Sequence, residues 1–243
     1  MRILLLILMG LSGLPPLFGD NPPPTAEDWQ IHVQLTAVIL TEKDALPLLD
    51  EFNDETKAAG AAEKAMAAVQ RGAGELAGPL RTQLASGGTS KAESVKEIRY
   101  AVEFDEPDFP NLDSVKQVDA VPKDVPMIPL KGTTFEARNV GLALQVEGTA
   151  SAGGRIISLR TTATHTRFLG WDETVAGRTP QGAKLSIQQP LFFTATDTLQ
   201  IALRSGEQVL IGTHQWPAPD HRLELFILKA WTSPRPPAGE PKR

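Results

Sequence analysis

The sequence contains no cysteine. Disulfide bonds and lipid attachment through an N-terminal cysteine are therefore excluded. Aromatic residues make up only 6% of the chain, with a single tyrosine, which argues against a surface built to stack sugars or bases. Basic residues form no cluster and the formal net charge is -5. Duplex binding depends on concentrated Lys and Arg, so we expect no nucleic-acid partner.

The first nineteen residues have the pattern of a secretory signal peptide. Arg2 precedes an apolar run that is shorter than a typical membrane-spanning helix. Pro15 and Pro16 interrupt that run and favour cleavage near Gly19 over the alternative, an uncleaved anchor. We therefore predict an exported protein with residues 1–19 as signal peptide. Residues 20–28 are proline-rich and are predicted to be a linker.

The mature chain begins with a strand followed by helices. Apolar side chains alternate over residues 30–40, which is the period of a strand with one buried face. Thr41 then provides an N-cap for a helix whose apolar positions include Leu48 and Phe52. An alanine-rich stripe over residues 61–69 predicts a second helix packed on a sheet.

The remainder of the chain is dominated by strands. The last of them carries apolar residues on both faces, Leu225 and Ile227 on one side and Phe226 on the other, which predicts a strand buried between layers. The sequence thus predicts a mainly β, α+β fold over residues 29–231, with one or two helices inserted near the N-terminal strand. The segment 232–243 is rich in proline and charge and is predicted to be a disordered tail.

The four histidines do not form a recognisable site. His214 and His221 with Asp220 have a spacing that matches no zinc motif. No Gly-x-Ser-x-Gly nucleophile elbow is present, and the Gly-Gly pairs lack the residues that follow in a phosphate-binding loop. We therefore predict no catalytic, cofactor-binding or metal-binding residues, no cofactor and no enzyme activity. No small-molecule substrate is inferred.

A run of carboxylates is a candidate for a calcium site. It comprises Glu103, Asp105, Glu106 and Asp108. A calcium loop places oxygen ligands at alternate positions around a glycine turn, and Pro107 interrupts that pattern. A solvated acidic edge is the favoured interpretation.

Several segments in order resemble the C-terminal pore domain of secretins, the outer-membrane rings of type II and type III secretion. The most specific is Ser-Gly-Glu-Gln-Val-Leu-Ile-Gly at 205–212, similar to the family's Asp-Gly-Gln-Thr-Val-Val-Ile-Gly-Gly. The other segments that carry the resemblance lie at 30–40, 72–88, 97–104, 135–146 and 189–193. The resemblance implies an antiparallel sheet of β-hairpins, in a stand-alone and divergent member.

The sequence also departs from that family. Thr213 stands where the second glycine is expected, and the segment between Asp172 and Gln189 is short for a central gate. From these residues we expect neither the family's repeated N-terminal domains nor an amphipathic helix after Trp231. The resemblance therefore implies the fold more strongly than it implies a pore.

Two functions are compatible with these patterns. The first is a non-catalytic structural component of a type II/III-like secretion or cell-envelope assembly, as a homo-oligomer or with secretion-system partners. The second is a soluble, monomeric periplasmic binding or assembly module with a secretin-like fold and no pore. Both place the protein in the periplasm or outer membrane of a Gram-negative-type bacterium, and membrane contact is left open between them.

Overall fold

The computed structural model describes residues 25–105, 127–179, 183–217 and 221–236. These residues form two α-helices and nine strands, preceded by a short 3-10 turn at Ala26–Asp28. The predicted signal peptide, residues 20–24 of the predicted linker and residues 237–243 of the predicted tail lie outside the described residues.

The elements follow the order expected of a strand, a helical pair and a long series of strands. Their bounds are β1 (Trp29–Thr41), α1 (Glu42–Phe52), α2 (Ala58–Gln70), β2 (Gly74–Ala85), β3 (Gly88–Phe104), β4 (Met127–Pro129), β5 (Gly132–Ala150), β6 (Ile156–Arg178), β7 (Lys184–Arg204), β8 (Gln208–Gln215) and β9 (Arg222–Pro234).

The strands form two sheets. Sheet A has the order β2-β1-β9-β8, and sheet B has the order β3-β5-β6-β7-β4. Every pairing is antiparallel except the three-residue parallel pair of β4 with β7. The predicted mainly β, α+β class, with two helices inserted after the N-terminal strand, is confirmed.

The predicted cap of α1 is also present. The Asp44 backbone N–H donates to the Thr41 hydroxyl at 3.3 Å, and that hydroxyl donates to the Asp44 carboxylate at 2.7 Å. The cap satisfies one of the free N–H groups at the helix start. It therefore turns the chain directly from β1 into the helical layer.

Sheet A lies between two apolar cores. On one side, Val38, Leu225 and Ile227 pack against the buried faces of α1 and α2. On the other side, its side chains meet sheet B, with Phe226 among them. The molecule is thus layered as helices, sheet A and sheet B. β9 lies between β1 and β8 and is covered on both faces, which confirms the interpretation of the last strand.

Sheet B extends beyond the part that sheet A covers. β5 pairs with β6 only from Gly141 to Ala150, and with β3 along nearly its whole length. At Gly141 the φ angle is +138°, and a Cβ there would overlap the backbone carbonyl of Ser94. A residue without a side chain is required at this point, where β5 leaves β6.

Two arms, each an antiparallel pair of strands, result from this separation. Arm I consists of residues 95–104 of β3 and 132–140 of β5. Arm II consists of residues 167–178 of β6 and 184–194 of β7, with β4 paired at its far end. The described residues between Asp172 and Gln189 therefore form the outer half of arm II.

The end of the domain differs by a few residues from the predicted boundary. β9 continues to Pro234 because Trp29 and Gln30 pair with Pro234 and Ser233. The first residues of the segment predicted as a tail thus belong to the strand.

Removing the Leu225 side chain should destabilise the helix-facing core. Leu225 is fully buried, so we expect Leu225→Ala to lower the free energy of unfolding by about 2–5 kcal/mol, measured by urea denaturation. Leu46→Ala on α1 is the control, since Leu46 is 53% exposed, and it should change stability by less than about 0.5 kcal/mol. Equal effects of the two substitutions would contradict the core assignment.

Gly141→Ala should disturb the point where the arms separate. The positive φ and the clash with the β3 backbone predict a loss of about 2 kcal/mol or more in the free energy of unfolding. Gly60→Ala in α2 is the matched control, because a Cβ there meets nothing within 4 Å. That substitution should be neutral or stabilising by about 0.5–1 kcal/mol. A neutral Gly141→Ala would show that β5 can leave β6 without glycine.

Candidate functional site: two arms and the polar cluster at their base

The arms and β4 carry most of the exposed large hydrophobic side chains in the described part of the chain. Among the described residues, twelve large hydrophobic side chains are exposed, and nine of them lie on the arms or on β4. They are Val95, Val102, Met127, Ile128, Phe135, Leu169, Trp171, Val175 and Leu191. Exposed apolar side chains concentrated on one part of a protein indicate a contact surface.

The arms also present unpaired strand edges. β3 lies at the edge of sheet B, and β7 is covered on its outer side only at 184–186 by β4. Where β5 leaves β6, the facing edges of those two strands lose their ladder within the described residues. Unpaired N–H and C=O groups along a strand are a template for pairing with another chain.

The base of arm II is held between arm I and sheet A. On the side away from sheet A, the Arg138 guanidinium donates to the Thr194 hydroxyl at 3.2 Å and lies 4.8 Å from the Phe192 ring centre. On the side that faces sheet A, the Arg167 guanidinium lies 4.3 Å from the Trp216 ring centre. Phe193 packs against the same indole at 5.3 Å. These cation–π and aromatic contacts contribute to the position in which arm II leaves the sandwich.

A buried histidine–carboxylate pair closes the core at this end. His165 of β6 and Glu224 of β9 are hydrogen-bonded through Nδ1 and Oε1, and their side chains are 6% and 0% exposed. The second carboxylate oxygen of Glu224 is buried and has no hydrogen-bond partner among the described residues. A buried charge is costly unless it is paired. The two side chains that join the sheets here must therefore stay paired with each other.

A second histidine–carboxylate pair joins the two sheets, this time with the histidine on sheet A and the carboxylate on sheet B. The His214 ring of β8 is hydrogen-bonded through Nε2 to the Asp197 carboxylate of β7 at 2.7 Å. Gly212 makes room for this contact, because a Cβ at that position would overlap the Asp197 carboxylate. This glycine is the last residue of the segment most similar to secretins, and its role here is to admit the bridge.

Glu75 of β2 is the centre of a third set of contacts between strands. Its carboxylate accepts from Arg167 at 2.7 Å and from Arg222 at 2.6 Å. The hydrogen bond from Arg167, supported by the one from Arg222, lowers the pKa of Glu75. We call His165, Glu224, His214, Asp197, Glu75, Arg167 and Arg222 the polar cluster.

The sequence did not predict the polar cluster. The grouping of His214 and His221 with Asp220 is not assembled among the described residues: His214 bonds Asp197, while His221 lies in the turn before β9 and Asp220 lies outside the described residues. His32, on the other face of sheet A, stacks on Trp231 at 5.2 Å and bonds Ser233. The pairs join residues 17 and 59 positions apart, so only alternation on the strands could have hinted at them.

Two residues of the carboxylate run lie at the end of arm I. Glu103 accepts a hydrogen bond from the Thr134 hydroxyl on the paired strand, and Asp105 follows β3. Glu106 and Asp108 lie outside the described residues. No group of three or more histidine and carboxylate side chains suited to a metal occurs among the described residues. No helix in the described part of the chain is long and apolar enough to span a membrane.

An open groove of about 330 Å³ lies between α2 and sheet A. Its walls combine apolar and polar groups, with Met66 and Ile227 beside the Gln34 amide and the Lys229 ammonium. It is separate from the arms and the polar cluster. A mixed groove of this kind is suited to a small ligand or a peptide side chain.

Comparison with solved structures gives partial similarities to secretins. No family model and no curated protein matches the chain. The type II secretion system secretin GspD of E. coli K12 is similar with a TM-score of 0.36 and 11% identity, covering 84% of this chain and 49% of that one. The InvG secretin domain β-barrel of the Salmonella SPI-1 injectisome is similar with a TM-score of 0.35 and 9% identity, covering 87% and 63%. The chain thus spans about half of the first and under two thirds of the second.

Glu75→Gln should weaken the cluster in a pH-dependent way. Because the folded state lowers the pKa of Glu75, its stabilising contribution is present above the ordinary glutamate range and is lost as the pH falls through the lowered pKa. Glu75 is 47% exposed, so we expect a loss of about 0.5–1 kcal/mol at neutral pH that shrinks in acid. Urea denaturation over a pH series measures it.

Glu93→Gln is the matched control for this substitution. Glu93 pairs with Lys91 on the same strand at 2.6 Å, so it joins no two elements. Its loss should change the free energy of unfolding by less than the loss of Glu75. A Glu75→Gln difference that stays constant into acid would contradict the ion-pair assignment.

Proposed function

We propose that this protein is a non-catalytic, exported structural subunit that assembles with copies of itself through the two arms. The observation that carries the proposal is the concentration of exposed apolar side chains on strands whose edges are unpaired. Such strands are stabilised when neighbouring chains complete the sheet and cover the apolar surface.

The strand directions suit repeated addition of subunits. In sheet B the strands between β3 and β7 alternate in direction, so β3 of one copy can pair antiparallel with β7 of the next without breaking the alternation. Such an interface uses two different surfaces and closes into a ring when the rotation between copies permits it. The secretin-like motifs of the sequence support the same arrangement, with a role in a secretion or cell-envelope assembly.

The surroundings of the arms favour a scaffold over an enzyme. The side chains of the polar cluster are paired with one another, and its two histidines are bonded to carboxylates of the opposite sheet. We infer that these groups position the arms. The predicted signal peptide supports a location in the periplasm or outer membrane of a Gram-negative-type bacterium.

Charges placed on the arms should prevent assembly. We expect the wild-type mature protein to form oligomers by light scattering after size exclusion and to appear as assembled particles by negative-stain microscopy, with or without detergent. The double variant Phe135→Lys/Leu191→Lys should be monomeric, because its side chains are 52% and 48% exposed on arm I and arm II. Buried in an interface, two unpaired ammonium groups would oppose association.

Leu46→Lys is the matched control. Leu46 is 53% exposed on α1, away from the arms, so the variant should assemble as the wild type does. A wild-type protein that is monomeric at all concentrations, in buffer and in detergent, would overturn the assembly proposal. It would leave the monomeric module, with the groove beside α2 as its binding site.

A further inference from the structure

The buried His165–Glu224 pair lies between the core and the base of arm II, so a change in its charge would act directly on the attachment of that arm. Ala163 and Phe226 line the adjacent end of the core between the sheets. The pair is the next layer toward the arms, where Ala195 lies opposite His165. Beyond it, Arg167 and Phe193 begin arm II. The pair is therefore the last buried contact between sheet A and the strands that continue into arm II.

The hydrogen bond between these two side chains restricts their proton content. A single titratable proton shared by the imidazole and the carboxyl group leaves the pair without net charge, either as an ion pair or as two neutral groups. A second proton gives a net positive charge in a site that is closed to water. That proton would occupy or compete for the oxygens of Glu224, one of which has no partner among the described residues.

Charged side chains of both signs surround the pair. On β8, His214 is the register partner of Glu224, and on β7 Asp197 is bonded to His214. On β6 and β9, Arg167 and Arg222 lie two residues beyond the pair and share the Glu75 carboxylate of β2. The register partners of the pair on β1 and β5, Ile39 and Leu142, are uncharged.

We propose that the His165–Glu224 pair is a proton-operated latch: it holds the base of arm II against sheet A while it shares one proton, and releases it on binding a second. The buried pair and its position between the core and the arm carry this inference. The released state keeps the helical layer and the core between the sheets, and changes the direction in which arm II leaves the sandwich. The meaning of that movement for assembly rests on the proposed function, but the latch itself does not.

Hydrogen exchange measured by mass spectrometry tests the latch on the full mature protein. Amides at 163–167 and 193–197 should exchange at least about tenfold faster at about pH 4.5 than at about pH 7.5, after correction for intrinsic rates, while β1 amides stay protected. The double variant His165→Leu/Glu224→Leu removes both titrating groups and fills the site with apolar side chains. It should lose the acid-induced exchange.

Glu224→Gln provides a test that does not depend on the double variant folding. With a neutral amide at 224, the first proton on His165 already gives a net charge, so the base of arm II should open at a higher pH than in the wild type. A residue that acted only through packing would not move the midpoint in that direction. His32→Gln, on the opposite face of sheet A, should leave the midpoint unchanged.

The outcomes separate the latch from the assembly proposal. Acid-induced exchange confined to the base of arm II, raised in midpoint by Glu224→Gln, supports the latch whether the protein is monomeric or assembled. A wild-type protein with no acid-induced exchange there would overturn the latch. A response that is unchanged in Glu224→Gln would overturn it as well.

Discussion

The pairing of β1 with β9 is the contact on which the other layers of the molecule rely. These strands form thirteen register pairs in the middle of sheet A, and both of their faces are covered. Burial on two sides requires apolar residues at nearly every position, which the run from Val38 to Leu40 and that from Leu225 to Leu228 provide. The helices on one face and sheet B on the other are both organised by this central pair.

The sandwich has one polar end. Between the sheets the contacts are apolar, apart from the buried Thr161 hydroxyl, until the end where histidines and carboxylates from four strands cross from one sheet to the other. Such pairs add little stability beyond what apolar residues would supply, but they require a defined geometry. The pairs lie at the base of the arms, so the geometry they require applies where strands leave the core.

Much of the fold followed from the sequence pattern. Alternating apolar residues predicted β1, and the capping residues Thr41 and Asp44 indicated the start of α1. The two apolar faces of β9 predicted that it lies between layers. The arms were harder to foresee, because strands that leave a sheet still alternate in the same way. Only the backbone at Gly141 reports the departure, and a glycine within a strand can equally mark a β-bulge or a close approach of two backbones.

Local periodicity and residue type were enough to define the mainly β class, the helical insertion and the lack of a recognised catalytic motif. Which polar side chains meet was settled only when the two sheets packed together. His165 and Glu224 are 59 positions apart, and His214 and Asp197 are 17 apart on strands of different sheets. Contacts of that kind depend on the packing angle and register of two sheets, which alternation along one strand does not encode.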